Sequence, residues 1–271
     1  MIAGSHMHIA SAFVTGARLI RRPPDVQLRE WVGCFWALPC TPDTRIRSLP
    51  DGCATLSIEL CDGHPPQSFI TGPRLTPGEW SPVRQLTLVG VRLRPGVLFA
   101  LTRVPASKLS GRRTRLDRWC AADAAELETG LAAAASHDEC FDTLEAFVRT
   151  RLRETPVDER IVRAVHLLSG DEGRMKIADL AQRCRTSARH LDRIFGRWVG
   201  LSPKTFARIM RFQASLASLD PVSPPDLADI ANGLGFFDQA HLSNEFAQLA
   251  GLSPRRIAPA RVADFSKTQC E

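Results

Sequence analysis

Two textures divide the pattern of apolar and polar positions along the chain. Over residues 9–115 the apolar runs are short and broken by turn-formers, with ten prolines between Pro23 and Pro82 and glycines recurring from Gly33 to Gly96. Between them Trp31–Trp36, Thr55–Leu60 and Gln85–Leu93 read as strands, the last setting Leu86 and Leu88 against Val89, Val91 and Leu93. Many short strands with frequent turns predict a β-rich domain, sandwich or barrel-like, over 9–115. From Leu116 the spacing turns helical. Residues 121–135 and 138–153 are rich in Ala, Leu and Glu, and Phe141, Leu144, Phe147, Val148 and Leu152 share one face. That segment, 116–156, reads as a helical connector. Thr155-Pro156 interrupts it, and Pro156 in a first helical turn is expected to open the next helix. An all-α domain should then fill 157–260, which makes the chain α+β.

Within that last domain the pattern repeats. Ala178-Asp179-Leu180-Ala181 returns as Ala228-Asp229-Ile230-Ala231, an offset of 50. His190-Leu191 with Phe195 returns as His241-Leu242 with Phe246, and Gly200-Leu201-Ser202-Pro203 as Gly251-Leu252-Ser253-Pro254, both at an offset of 51. One turn is therefore a residue longer. Each unit reads as a short helix, a tight turn, a longer helix and a Ser-Pro start for a third, which is a duplicated helix-turn-helix. The units span about 176–199 and 226–250, with a linking helix over 203–219. In the first, Ser187 is expected to cap the longer helix. Leu191, Ile194, Phe195 and Trp198 form its buried stripe. Arg189, Asp192, Arg193 and Gly196 face the other way. Two arginines one turn apart suit bidentate contact with guanine in a major groove, although most exposed arginine pairs are only solvated.

Charge helps to choose between these readings. The chain has 35 Lys+Arg against 29 Asp+Glu, a net of +6, but each half about residue 156 carries +3 and the totals discriminate nothing. Residues 174–211 hold ten basic and two acidic residues, whereas 212–254 hold five acids and no Lys or Arg. A net of +8 on one unit beside −5 on the next is the footprint that phosphate neutralisation requires. Double-stranded DNA is the partner this implies.

Other chemistry finds less support. No apolar run approaches the ~20 residues of a membrane span. The N-terminus lacks a basic region followed by an apolar core, so no secretory leader is expected and the location reads as cytoplasmic. Gly4-Ser5-His6-Met7 reads as a cloning remnant, and residues 1–8 are set aside. Eight irregularly spaced cysteines, with no Cys-x-x-Cys pair, read as reduced thiols. No phosphate loop, nucleophile elbow or His-Glu-x-x-His occurs, so no enzyme, catalytic residue, metal site or cofactor is expected. A redox sensor using Cys34, Cys40, Cys53 or Cys61 stands as the alternative, with a metal-held, alkylation-repair type of regulator beside it.

The run from Asp229 to Phe246, followed by Gly251-Leu252-Ser253-Pro254, resembles the signature of the AraC/XylS family of bacterial transcription regulators over ~158–258. The resemblance implies seven helices, two reading helices, an activator that touches RNA polymerase, and room for a small-molecule effector and a homodimer. Its reading residues map onto Arg189, Asp192 and Arg193 in the first unit, and onto Gln239, Ala240, Ser243 and Asn244 in the second. Phosphate contact is expected from Arg185, Arg197, Lys204, Arg208, Arg211 and His241. Two departures stand out. Arg185 occupies a turn position where the family usually has Gly, and Asn244 one where it often has Arg. Leu49-Pro50-Asp51-Gly52-Cys53, Gly72-Pro73-Arg74 and Gly90–Gly96 resemble an uncharacterised N-terminal domain often fused to such helices, which implies sensing or assembly. Trp31, Trp36, Arg92 and Cys34 are the effector candidates. Arg92 and Arg94 should share a strand face, more in keeping with a surface before a Pro-Gly turn than with an anion site. Turn chemistry accounts for Pro50-Asp51-Gly52.

Overall fold

In a computed structural model of the 271-residue chain, residues 10–219, 226–257 and 263–264 are described. Residues 1–8, read above as carrying a cloning remnant, Asp220 and Cys270 lie outside them. The first half, with one short strand from the C-terminal end, builds two antiparallel sheets. The smaller has the order β10-β1-β4-β7, from β1 (Ala10–Thr15), β4 (Arg45–Ser48), β7 (Gly78–Trp80) and β10 (Ala263–Asp264). The larger has the order β2-β3-β8-β5-β6-β9, from β2 (Ile20–Arg22), β3 (Val32–Cys40), β5 (Ala54–Cys61), β6 (His64–Thr71), β8 (Leu86–Leu93) and β9 (Arg113–Arg115).

The larger sheet is covered on both faces, which is why its central strands read as almost unbroken apolar runs. In β3, Trp36, Leu38 and Cys40 point toward the smaller sheet and pack with Leu86, Leu88, Ile46 and Trp80. Phe35 and Ala37 point the other way, into a cluster completed by α2 (Ala121–Ala132) and α3 (His137–Glu154). Phe141, Leu144 and Val148 of α3 are fully buried there, with Phe147 and Leu152 packed at the margin, so the apolar stripe expected of this helix is the face it buries. Ser136 caps α3 by accepting from the Glu139 N–H at 3.2 Å.

A short α1 (Leu98–Thr102) follows β8. After α3 come seven helices among the described residues: α4 (Glu159–Gly170), α5 (Ile177–Arg183), α6 (Ala188–Trp198), α7 (Pro203–Ala217), α8 (Leu227–Gly233), α9 (Gln239–Ala250) and α10 (Pro254–Ile257). Pro156 does not start α4. Asp158 caps it instead, its carboxylate accepting from the Arg160 N–H at 3.0 Å, and Pro156 lies two residues upstream in the connection. An Asp side chain can satisfy a free N–H of the first turn, which proline cannot.

The two halves share their cores. Phe99 and Ala100 of α1 belong to the cluster around α4, α6 and α7, and Leu49 to the cluster around Phe212 and Phe246. The Phe99 and Trp198 rings meet edge-on at 4.8 Å, and Arg197 stacks over Phe99 at 4.3 Å. Ser110 donates to the Gly200 carbonyl at 2.6 Å, and Arg47 to that of Ala250. No helix among the described residues is long and apolar enough to cross a membrane.

Candidate nucleic-acid interface and N-terminal cavity

The repeat seen in the sequence is a repeat of hydrogen bonds. At the end of α5 the Arg185 N–H bonds the Gln182 carbonyl and the Thr186 N–H reaches that of Ala181, both at 3.0 Å. At the end of α8 the Gly235 N–H bonds the Asn232 carbonyl at 3.3 Å and the Phe236 N–H that of Ala231 at 2.9 Å. These are the same helix-ending motif at an offset of 50 residues. It requires a left-handed residue, φ +71° at Gly235 and φ +52° at Arg185. The first unit therefore bends as the glycine-bearing one does, with a Cβ crowding its backbone. The caps that follow are Ser187, accepting from His190 N at 3.2 Å, and Asp238, accepting from His241 N at 2.7 Å, now at an offset of 51. The additional residue is Phe237. It is 88% exposed, immediately before the cap of α9, and the sequence reading did not single it out.

In α6, Leu191, Ile194, Phe195 and Trp198 are buried against Leu180, Ala181 and Phe206. Ser187, Arg189, Asp192 and Arg193 are exposed on the far side, as are Arg185 and Arg197 at its two ends. His190 lies between Arg160 of α4, at 3.1 Å, and Arg193, at 3.3 Å. A neutral imidazole has one acceptor nitrogen, so it cannot bond both arginines at once. Arg193 is thus lightly held.

In α9, Leu242, Phe246, Leu249 and Ala250 are buried, while Gln239, Ala240 and Asn244 are exposed and Ser243 is half-buried. His241 accepts from the Phe237 N–H at 3.2 Å and stands 3.9 Å from Glu245. The remaining expected phosphate contacts fall into two groups. Lys204 is exposed. Arg208 and Arg211 are partly covered: Arg208 is paired with Glu245 at 2.5 Å and bonded to Gln248, and Arg211 lies over the Phe236 ring at 5.7 Å. These two arginines join α7 to the second unit.

Among the effector candidates, Trp36 and Arg92 line a cavity of about 150 Å³ between the sheets, whereas Trp31 and Cys34 lie outside its wall. Trp31 packs with the cluster on the opposite face of the larger sheet. Arg92 is not a surface residue. It is 8% exposed and forms an ion pair with the equally buried Asp51, while Arg94 falls beyond the end of β8. Turn chemistry therefore covers only half of Asp51: one carboxylate oxygen accepts from the Cys53 N–H at 2.8 Å, and the other holds Arg92. An unpaired guanidinium is costly to bury, so these two residues are buried as a pair.

Among the described residues, no three His, Cys, Asp or Glu side chains come together as a metal site. Cys34, Cys40 and Cys53 are buried, and burial pushes the Cys53 thiol up to about 12 and the Cys40 thiol to about 11. A thiol held protonated is a poor nucleophile.

Nothing among curated proteins matches the chain. Among solved structures, an AraC-type transcriptional regulator from Chromobacterium violaceum is similar at 22% identity and TM-score 0.36, over 39% of this chain and 94% of that one. ToxT from Vibrio cholerae O395 is similar at 10% identity and TM-score 0.41, over 93% and 97% of the two chains. ToxT from Vibrio cholerae strain SCE256, bound to an unsaturated fatty acid, is similar at 10% identity and TM-score 0.38, over 93% and 96%. Residues 20–115 match the Domain of unknown function (DUF6597), and residues 180–258 the Helix-turn-helix domain family. The chain thus carries a domain of the Helix-turn-helix domain family over residues 180–258, joined to an N-terminal domain of that family of unknown function over residues 20–115.

Proposed function

We propose that the chain is a sequence-specific transcription regulator, acting as an activator, that lays α6 and α9 in two successive major grooves about 34 Å apart on one face of DNA. In this reading residues 9–115 sense or assemble, 116–156 connect, and 157–260 read. The reading residues are Arg189, Asp192 and Arg193 of α6 with Gln239, Ala240, Ser243 and Asn244 of α9. Arg185, Arg197, Lys204 and His241 meet phosphates, RNA polymerase is the protein partner, and no catalytic step is involved.

The observation that carries this reading is the exposed face of α6. Arg189 and Arg193 stand one turn apart on a capped, half-buried helix, with Arg185 and Arg197 exposed at its ends. The acidic second unit supplies less attraction, and the α7 arginine that reaches it, Arg208, is drawn inward by Glu245. The first unit therefore sets affinity and specificity. Genome-wide footprinting supplies the operator, and gel-shift titration on it tests the ranking. Arg193→Ala should cost about 1–3 kcal/mol, the worth of one bidentate guanine contact, and Asn244→Ala much less. Equal losses would refute the ranking.

A further inference from the structure

The cavity between the sheets has the dimensions and lining of a ligand site. Its volume is about 150 Å³, and Leu38, Leu88, Trp36 and Trp80 give it a mainly apolar wall. A protein cavity of this size admits a single benzene ring.

Four charged residues face it: Asp51, Arg74, Arg92 and Arg113. Two of the arginines are satisfied. Arg92 has Asp51, and Arg113 has Glu59 at 2.6 Å and lies over Phe69 at 3.5 Å. Arg74 differs. Among the described residues it has no hydrogen bond and no ion pair, and it feels Asp51 only at a distance. Its guanidinium is half-buried against β7, where a Cβ on Gly78 would collide with it. Burial lowers the Arg74 pKa from its ordinary value, the cost of a cation withdrawn from water without an acceptor. An apolar chamber with one uncompensated guanidinium suits a compact hydrocarbon bearing one carboxylate.

We propose that the cavity binds a small apolar carboxylate, received by Arg74 and Arg92 in competition with Asp51, and that its arrival loosens the grip of residues 49–53 on α7. The second half rests on the DNA-binding reading above. The connection is short. Asp51 belongs to the cavity wall, while its neighbours hold the linking helix: the Pro50 carbonyl accepts from Gln213 of α7, Leu49 packs with Phe212, and Gly52 abuts Phe206. Gly52 has φ +75°, and a Cβ there would stand 2.5 Å from the Phe206 ring, so loop and helix are fitted without slack. Two carboxylates cannot share the Arg92 site without like-charge repulsion. Once the ligand takes the guanidinium, Asp51 must turn to water and carry the loop with it.

Titration calorimetry on the full chain tests the binding, with benzoate and hexanoate as probes and benzamide and hexanamide as neutral isosteres. Each carboxylate should bind at least about tenfold more tightly than its amide, a charge-assisted contact being the stronger kind. Arg74→Gln should abolish that preference, Arg74→Lys should retain part of it, and Asp51→Asn should tighten carboxylate binding severalfold by removing the competitor. No heat up to about 10 mM probe, equal binding of acid and amide, or an unchanged preference in Arg74→Gln would overturn the site. Weaker binding to a folded Asp51→Asn variant would overturn the competition. Operator binding, followed separately by fluorescence anisotropy, should change with benzoate in the parent and not in Arg74→Gln. Saturation by benzoate with unchanged operator affinity would overturn the coupling. Because calorimetry uses no DNA, failure of the DNA-binding reading would show as an inert operator beside intact probe binding.

Discussion

At Arg185 a single residue carries two opposed demands. The turn between α5 and α6 needs a left-handed backbone, which Gly235 adopts without a side chain in the second unit and Arg185 adopts with one. Its guanidinium meanwhile stands exposed at the end of the unit proposed to read DNA. Arg185→Gly should stabilise the fold by about 0.5–1 kcal/mol in urea unfolding, the strain relieved less the added chain entropy. The same change should lower the salt slope of operator binding by about one, as losing one phosphate contact does. Greater stability with an unaltered slope would remove Arg185 from the interface. The departure from Gly was visible in the sequence because the repeat supplies its own comparison. The pairing of Asp51 with Arg92 was not, because a Pro-Asp-Gly stretch already explains an aspartate locally and nothing in its spacing points 41 residues ahead.

The thiols belong to this scale too. Cys53 titrates near 12 in the fold against an ordinary 9.0, through burial first and the charges around it second. Between those values the folded chain keeps a proton that the unfolded chain has released. Its contribution is therefore complete below pH 9 and is lost as pH rises toward 12, at up to about 1.4 kcal/mol per pH unit. Of the seven described thiols, Cys61 and Cys120 are half-exposed and the other five buried. At pH 7.5 a thiol-labelling time course read by mass spectrometry should modify Cys61 first among these seven and leave Cys40 and Cys53 intact. Rapid labelling of Cys53 would favour the redox-sensor alternative.

Between elements, a one-residue change of register has a physical product. The offset of 50 before the second turn and 51 after it isolates Phe237, which the structure leaves almost fully solvated beside the start of α9. Its backbone N–H is held by His241, so the side chain is presented outward from a fixed stem. An apolar ring beside the start of α9, the second proposed reading helix, fits a thymine methyl. Phe237→Ala should leave stability within about 0.5 kcal/mol, as removal of a solvated side chain does. It should weaken operator binding by about 1 kcal/mol, with the loss confined to sites bearing thymine at one position. A uniform loss over all operator variants would assign Phe237 to the backbone instead. Helix boundaries were legible for a related reason: caps and buried stripes are local, and Ser187 caps α6 where its spacing indicated. The roles of Arg208 and Arg211 were not legible, since a charge count cannot tell an arginine facing DNA from one tied to the neighbouring helix.

Across the whole molecule the two halves are joined through their cores, a union that no local pattern signals because Leu49 and Phe99 look like ordinary apolar residues of their own segments. Leu49 completes the packing of α7, α8 and α9, and Phe99 closes the pocket that receives Trp198. Shared cores couple the stability of both halves, so urea unfolding should be one cooperative transition despite the two domains. Trp198 is the sole tryptophan after residue 119, which makes its fluorescence a reporter for the C-terminal half in a variant with Trp31, Trp36, Trp80 and Trp119 changed to Phe. In that variant the Trp198 signal and far-ultraviolet circular dichroism should share a midpoint. Gly52→Ala, which places a Cβ against Phe206 at a left-handed position, should cost about 2–4 kcal/mol and separate the two curves, with the Trp198 transition moving to lower urea. Curves already separate before that substitution would mean that the contacts between the halves contribute little. A ligand in the N-terminal cavity would then have no rigid path to α7, since coupling needs an element whose arrangement both sites bias.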